Sequence, residues 1–140
     1  MTYISTRLRQ LVIERARHSC EYCLLHEDYT TFSHEVDHIF ALKHGGRNEL
    51  SNFAYACAQC NRFKGSDLSS LDPIIDEIVL LFNPRINSWF DHFDFDGPLI
   101  RPHSSIGRAT EKLLQFNQID RVLLRKELLI DSRYPFQFGK

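Results

Sequence analysis

Cys57-Ala58-Gln59-Cys60-Asn61-Arg62-Phe63-Lys64-Gly65 is the stretch on which the reading of this chain turns. Two thiols separated by two residues sit on a turn that aims both sulfurs at one tetrahedral ion. The residues that follow suit a helix running from Cys57 through Asn61 and Lys64, with Gly65 as its stop. A second pair lies upstream in Cys20-Glu21-Tyr22-Cys23, and the two pairs account for all four cysteines. Together they make a closed coordination sphere, which is structural and leaves no position for a substrate. Two disulfides are the alternative, but they would need an oxidising compartment. The opening Met1-Thr2-Tyr3-Ile4-Ser5-Thr6-Arg7 has no apolar run behind a basic start, so the expectation is a cytoplasmic protein that binds zinc and does not enter a membrane.

Between and beside the cysteine pairs lie groups with a different chemistry. Thr30 to Leu42 is rich in β-formers and reads as a strand or bent hairpin around Asp37 and His38. His44-Gly45-Gly46 then supplies a turn, and Asn48 to Ala56 reads as a short extended segment returning to the second cysteine pair. Asp37 and Asn61 offer one anionic and one neutral oxygen, a donor set that suits Mg²⁺ or Mn²⁺ beside a phosphodiester. Histidine titrates near neutral pH, which makes His38 the expected general base. Asn52 is expected to accept the imidazole N–H and fix the ring. Adjacent strand residues point to opposite faces, so Asp37 and His38 can flank one phosphate only where the strand ends or kinks. Taken singly, Asp37, Asn52 and Asn61 would be ordinary turn and loop residues; their joint occurrence favours a site.

The chain has 140 residues and a formal net charge of −1, which excludes a global basic footprint and leaves only local positive clusters to meet a nucleic acid. Arg62, Lys64, Lys43 and Arg47 flank the expected site as candidate phosphate contacts, and Arg7, Arg9, Arg15 and Arg17 crowd a first helix capped by Ser5 or Thr6 and running to about His18. His34 and Glu35 read as ordinary strand positions, His44 as part of the turn, and His18, His26, His92 and His103 as surface or core residues. Beyond Ser66, Asp72-Pro73 can open a helix, while Ile78 to Phe82 reads as an extended segment. Trp89 to Phe95 leads into a hairpin turning at Asp96-Gly97-Pro98, with its aromatics packed inward rather than stacked on bases. Two helices close the chain, one capped by Ser104 or Ser105 and one from about Ile119 to Asp131.

These motifs resemble the HNH endonucleases, whose sites use a ββα-metal motif. The resemblance runs from Cys20 to Gly65 through Val36-Asp37-His38-Ile39, His44-Gly45-Gly46, Ser51-Asn52-Phe53 and the opening stretch. It implies His38 as general base, Asp37 and Asn61 as ligands of a catalytic ion, and Asn52 as the residue orienting the histidine. The chain departs from the commonest pattern with Asp37 in place of a second His and Asn61 in place of the last His, which favours Mg²⁺ or Mn²⁺ over a catalytic zinc. The rest looks like a group of small standalone bacterial HNH proteins, through Leu8 to Ala16, Leu81-Phe82-Asn83-Pro84-Arg85, Trp89, His92-Phe93 and Gly107-Arg108-Ala109-Thr110. Arg85 and Arg108 are read as structural ion-pair partners in preference to phosphate contacts.

The expectation is an α+β fold forming one domain over 1–140. A helix occupies 1–19, a zinc-stapled ββα-metal core 20–65, and a mixed strand and helix extension 66–140. Its expected action is metal-dependent hydrolysis of DNA, double-stranded in preference to single-stranded, with RNA as a subsidiary substrate. The competing reading is a non-catalytic zinc module that binds nucleic acid or a protein. Oligomeric state, target sequence and nicking versus double-strand cutting are not written in the motifs.

Overall fold

A computed structural model describes residues 3–135; Met1 and Thr2 of the opening stretch, and residues 136–140 of the extension, lie outside it. Four helices and three separate two-stranded antiparallel sheets make up the described chain, the mixed α+β architecture expected. No helix among the described residues is long and apolar enough to cross a membrane.

Helix α1 spans Thr6–Arg15, with the Ser5 hydroxyl accepting the Leu8 N–H as its cap. It stops short of His18 because Arg17 and His18 adopt left-handed conformations, φ 55° and 64°, which turn the chain toward the first cysteine pair. Strand β1 is Glu35–His38 and β2 is Phe53–Ala56, paired with Asp37 opposite Ala54 and His38 opposite Phe53. The strand expected over Thr30 to Leu42 is thus confined to four residues. A 3₁₀ turn at Leu50–Asn52 occupies part of the segment expected to be extended. On one face of the ribbon, Val36, Phe53 and Tyr55 pack with Val12 of α1 and with Ala16, which caps its C-terminal end. Helix α2, Ala58–Lys64, covers the other face and ends at Gly65 as expected.

The C-terminal extension begins with β3, Ser69–Asp72, paired with β4, Glu77–Leu80. Asp72-Pro73 therefore starts a tight turn instead of a helix, with the Asp72 carboxylate accepting the Ile74 N–H at 2.9 Å. Strands β5, Phe93–Asp96, and β6, Leu99–Pro102, form the hairpin expected at Asp96-Gly97-Pro98. Helix α3 is Ser105–Leu114, capped by Ser104, and α4 is Ile119–Ile130.

The extension shares its core with the cysteine lobe. Phe93, Ile100, Leu114 and Phe116 are fully buried in the cluster that also holds Tyr22 and the four cysteines, so the β5 aromatic Phe93 packs inward. The Trp89 indole N–H donates to the Tyr22 carbonyl at 2.8 Å, and the Tyr134 hydroxyl donates to the Cys23 carbonyl at 2.6 Å. Arg85 pairs with Glu21, and Arg108 grips Asp72 with Nε at 2.9 Å and Nη2 at 2.7 Å. Both arginines are structural partners that bind the extension together and to the core.

Candidate functional site

All four cysteines are unbonded thiols, fully or almost fully buried, and their Sγ atoms lie within 4.8 Å of one another. Cys23 and Cys57 Sγ are 3.7 Å apart, close to the edge of about 3.8 Å that a tetrahedron with Zn–S bonds of about 2.3 Å requires. Each pair is shaped by backbone donors: the Tyr22 and Cys23 amides point at Cys20 Sγ, and the Cys60 amide at Cys57 Sγ, each at 3.4 Å. Cys57 thereby also caps α2. The arrangement is a candidate zinc centre, and its donors fit a closed structural ion.

Asn61 follows Cys60 directly on α2, so the cysteine centre fixes the turn that carries it. The helix lies against the face of β1 that presents Glu35 and Asp37. Asn61 Nδ2 reaches Glu35 Oε2 at 3.4 Å. Lys64, one turn further along α2, places its ammonium 3.1 Å from Asp37 Oδ2 and donates to the His38 carbonyl at 3.0 Å. The Tyr22 hydroxyl donates to the same Asp37 oxygen at 3.2 Å. Burial pushes the Asp37 carboxyl above its ordinary value, against the opposing pull of Lys64, Tyr22 and His38. Lys64 is 2% exposed. It is therefore an internal counter-ion, not the surface phosphate contact expected, because its stem runs inward between α2 and β1.

His38 is the last residue of β1, still in register opposite Phe53. Its ring stands edge-on to Phe53, 5.3 Å between centroids, on the α1 side of the ribbon. Asp37 faces α2. The imidazole's partner is Asn48, with Nε2 to Oδ1 at 2.7 Å. Asn52 does not hold the ring. Its Oδ1 accepts the Phe40 N–H at 2.8 Å, and its Nδ2 donates to the Phe40 and Arg47 carbonyls, each at 2.9 Å. This buried amide instead closes the loop between β1 and β2, and the loop delivers Asn48. Gly46 completes the closure: a Cβ there would lie 1.6 Å from the Phe40 carbonyl oxygen, so no other residue fits the present backbone.

Lys43, Arg47 and Arg62 are exposed around this loop and helix, Arg47 beside Glu49 at 3.8 Å and Arg62 over the Phe63 ring at 4.9 Å. Three contributors escaped the sequence reading. Asn48 lies in the segment that reads as extended, Glu35 reads as an ordinary strand position, and Tyr22 carries no expected role between Cys20 and Cys23. A polar residue opposite His38 in the returning loop was the available signal for Asn48; nothing local marked Tyr22. Of the remaining histidines, His34 is buried with Nε2 2.8 Å from the Leu25 carbonyl oxygen, and His92 Nδ1 lies 2.7 Å from the Ser104 hydroxyl.

Comparison with known proteins finds two likenesses. Residues 20–67 match the family model described as HNH endonuclease. The chain is also 26% identical over 125 residues to the Septu protein PtuB of Bacillus thuringiensis, a match covering 87% of this chain and 46% of that protein. The chain thus spans about half the length of that relative. No solved structure matches it significantly.

Proposed function

We propose, starting from the HNH endonuclease domain of residues 20–67, that this chain hydrolyses DNA phosphodiester bonds with the help of a divalent cation, acting as one domain over 1–140. Double-stranded DNA is the proposed substrate, approached through exposed Lys43, Arg47 and Arg62. The carrying observation is the placement of His38 at the end of β1 with Nε2 2.7 Å from Asn48 Oδ1. An oxygen acceptor makes Nε2 the protonated nitrogen, which leaves the Nδ1 lone pair to take a proton from an attacking water. Asn52 and Gly46 support this indirectly by closing the loop that carries Asn48.

Asp37 and Asn61 are the proposed holders of Mg²⁺ or Mn²⁺. Their fit rests on donor chemistry and placement: a carboxylate and a carboxamide on the β1–α2 seam, with Asn61 engaging Glu35 through Nδ2 and not through its oxygen. When bound, such a cation supplies charge stabilisation at the scissile phosphate and the departing oxygen. Lys64 holds the Asp37 carboxylate in the seam, and Tyr22 fixes its orientation. The four cysteines hold zinc, whose part is to place the first turn of α2 and with it Asn61.

The test is a plasmid-nicking assay with Mg²⁺ or Mn²⁺ in which His38→Ala loses nicking while keeping its circular dichroism and zinc content. A His38→Ala variant that nicks as fast as wild type removes His38 as the base. One observation favours a second reading, a zinc module that binds without cutting: Asp37 is already satisfied by Lys64 and Tyr22. That reading predicts DNA or protein binding with no nicking under any divalent cation. Running RNA and single-stranded DNA beside the plasmid decides the substrate class.

A further inference from the structure

Arg121 on α4 lies 61 residues from Cys60 in sequence, yet its Nη2 sits 3.0 Å from Cys60 Sγ and 3.8 Å from Cys57 Sγ. The other arm of the guanidinium, Nη1, donates to the Leu114 carbonyl at 2.5 Å and the Gln115 carbonyl at 3.1 Å, at the C-terminal end of α3. The residue is 5% exposed, and its polar partners are two carbonyls and two cysteine sulfurs, with no salt bridge to Asp or Glu among the described residues. A buried cation beside four neutral thiols would be left with only carbonyl dipoles for compensation, which is costly. Beside a zinc tetrathiolate carrying two net negative charges, the same guanidinium is a charge-assisted donor in a matched position.

We propose that Arg121 is the cap of the cysteine centre, a positioning residue that hydrogen-bonds the Cys57 and Cys60 thiolates, offsets their charge and retards loss of the zinc ion. This rests on the reading of the four cysteines as a zinc site. The planar fork links the end of α3 to the two sulfurs at the start of α2. The ion and the C-terminal helices are thereby joined through one side chain. Donation to a thiolate lowers the energy of its sulfur lone pairs and makes it less open to protonation and to electrophiles, the steps that free a sulfur from the ion and let a chelator take it. Arg121 thus protects the ligands while leaving the coordination sphere closed.

The experiment uses the full chain and compares wild type with Arg121→Met, Arg121→Lys and Arg125→Met. Arg125 is the control because it is a second buried cation on α4, but its Nε donates to the Pro98 carbonyl at 2.7 Å and its Nη2 to Asn117 at 3.0 Å. The first readout is zinc transfer to a chromogenic chelator; the second is the sulfur-to-metal charge-transfer band of the Co²⁺-substituted protein. Arg121→Met is expected to release zinc at least about tenfold faster, within the range for loss of an outer ligand contact. Its Co²⁺ band is expected to move to lower energy. Arg121→Lys, which keeps the charge but not the fork, should recover most of the release rate and show a smaller band shift. That variant carries the test if Arg121→Met does not fold. Wild-type release and an unshifted band in folded Arg121 variants overturn the proposal, as does Arg125→Met if it moves both readouts equally. Wild-type protein that is folded without metal overturns the zinc reading itself, a failure visible in metal analysis before any variant is compared.

Discussion

Replacing Lys64 with Met tests whether the seam between β1 and α2 is held by charge. The methionine stem fills most of the space of the lysine stem, so the main loss is the ammonium. At 3.1 Å from Asp37 Oδ2, an effective dielectric of about 20 gives a gross attraction of about 5 kcal/mol. Desolvation offsets part of this in the intact pair. Removing one partner nevertheless leaves the other charge buried, which costs about 3–5 kcal/mol. Tyr22 still donates to the carboxylate at 3.2 Å, which places the expected loss for Lys64→Met at the lower end, about 3 kcal/mol.

Lys64 also serves the His38 carbonyl at 3.0 Å, and that acceptor is orphaned by any Lys64 variant at a cost of about 1 kcal/mol. The double variant Asp37→Asn/Lys64→Met removes the stranded charge but not the orphaned carbonyl. It should therefore sit about 1–1.5 kcal/mol below wild type and above Lys64→Met alone. Urea unfolding of the zinc-loaded protein, without added Mg²⁺ or Mn²⁺, measures both. With a slope of about 1.5 kcal/mol per molar, the single variant's midpoint falls by about 2 M. A drop below about 0.5 M, or a double variant no better than Lys64→Met, would mean that Asp37 is not held by this pair.

Gly46→Ala should lower nicking and loosen the β1–β2 loop, seen as faster exchange of the Phe40 amide, which bonds Asn52 Oδ1, and of the amide at position 46, which bonds the Ala41 carbonyl, because the new Cβ collides with the Phe40 carbonyl; unchanged exchange would count against the close approach. Asn48→Ala is expected to reduce kcat about tenfold or more with little change in KM, since it unpins the His38 ring without touching the arginines proposed to meet DNA; a pure KM effect would point to substrate contact instead. Cys57→Ser should unfold the α2 turn along with zinc loss, read by metal content and circular dichroism together; a folded, zinc-free and active variant breaks that coupling. Burial lowers the His92 pKa, so the unfolded chain binds its proton first and this contribution is present above about pH 6.5 and lost as pH falls toward the folded value. His92→Asn should flatten the part of the stability profile that falls below about pH 6.5, and an unchanged slope there would contradict it.

The parts of the fold legible in the sequence were those whose causes are local. Paired thiols, the Gly65 stop, the Asp96-Gly97 turn and the Ser104 cap each act through neighbours a few residues away. Strand β3 was missed because Ser69, Ser70 and Asp72 carry little β-propensity. Its conformation follows from pairing with β4 and from the grip of Arg108, 36 residues away, on Asp72. The end of α1 was misplaced because helix propensity does not reveal that Arg17 and His18 must reverse the chain.

The candidate site divides in the same way. The residue types at Asp37, His38, Asn52 and Asn61 were visible, but their partners depend on where the loop crosses the ribbon. Asn52 is one position from the β2 strand, so its amide falls level with Phe40 and Arg47 backbone groups instead of the imidazole. Asn48, further out on the loop, reaches His38. The loop must therefore close before the ring can be oriented, which makes Asn52 and Gly46 conditions for Asn48 rather than alternatives to it.

Helix α2 connects these pieces through consecutive turns. Cys57 and Cys60 lie at its start, Asn61 follows, and Lys64 ends it against Asp37. Because the helix has only seven residues, its isolated stability is poor and its position must come from what holds its two ends. The cysteine centre with Arg121 holds one end, and the buried Lys64–Asp37 pair holds the other. Loss of either anchor moves Asn61 relative to β1, so variants at Cys57 and Lys64 should impair nicking through a common displacement. Their combined effect on the rate should then be smaller than the product of the two separate effects, the outcome expected when both act on one positioned residue.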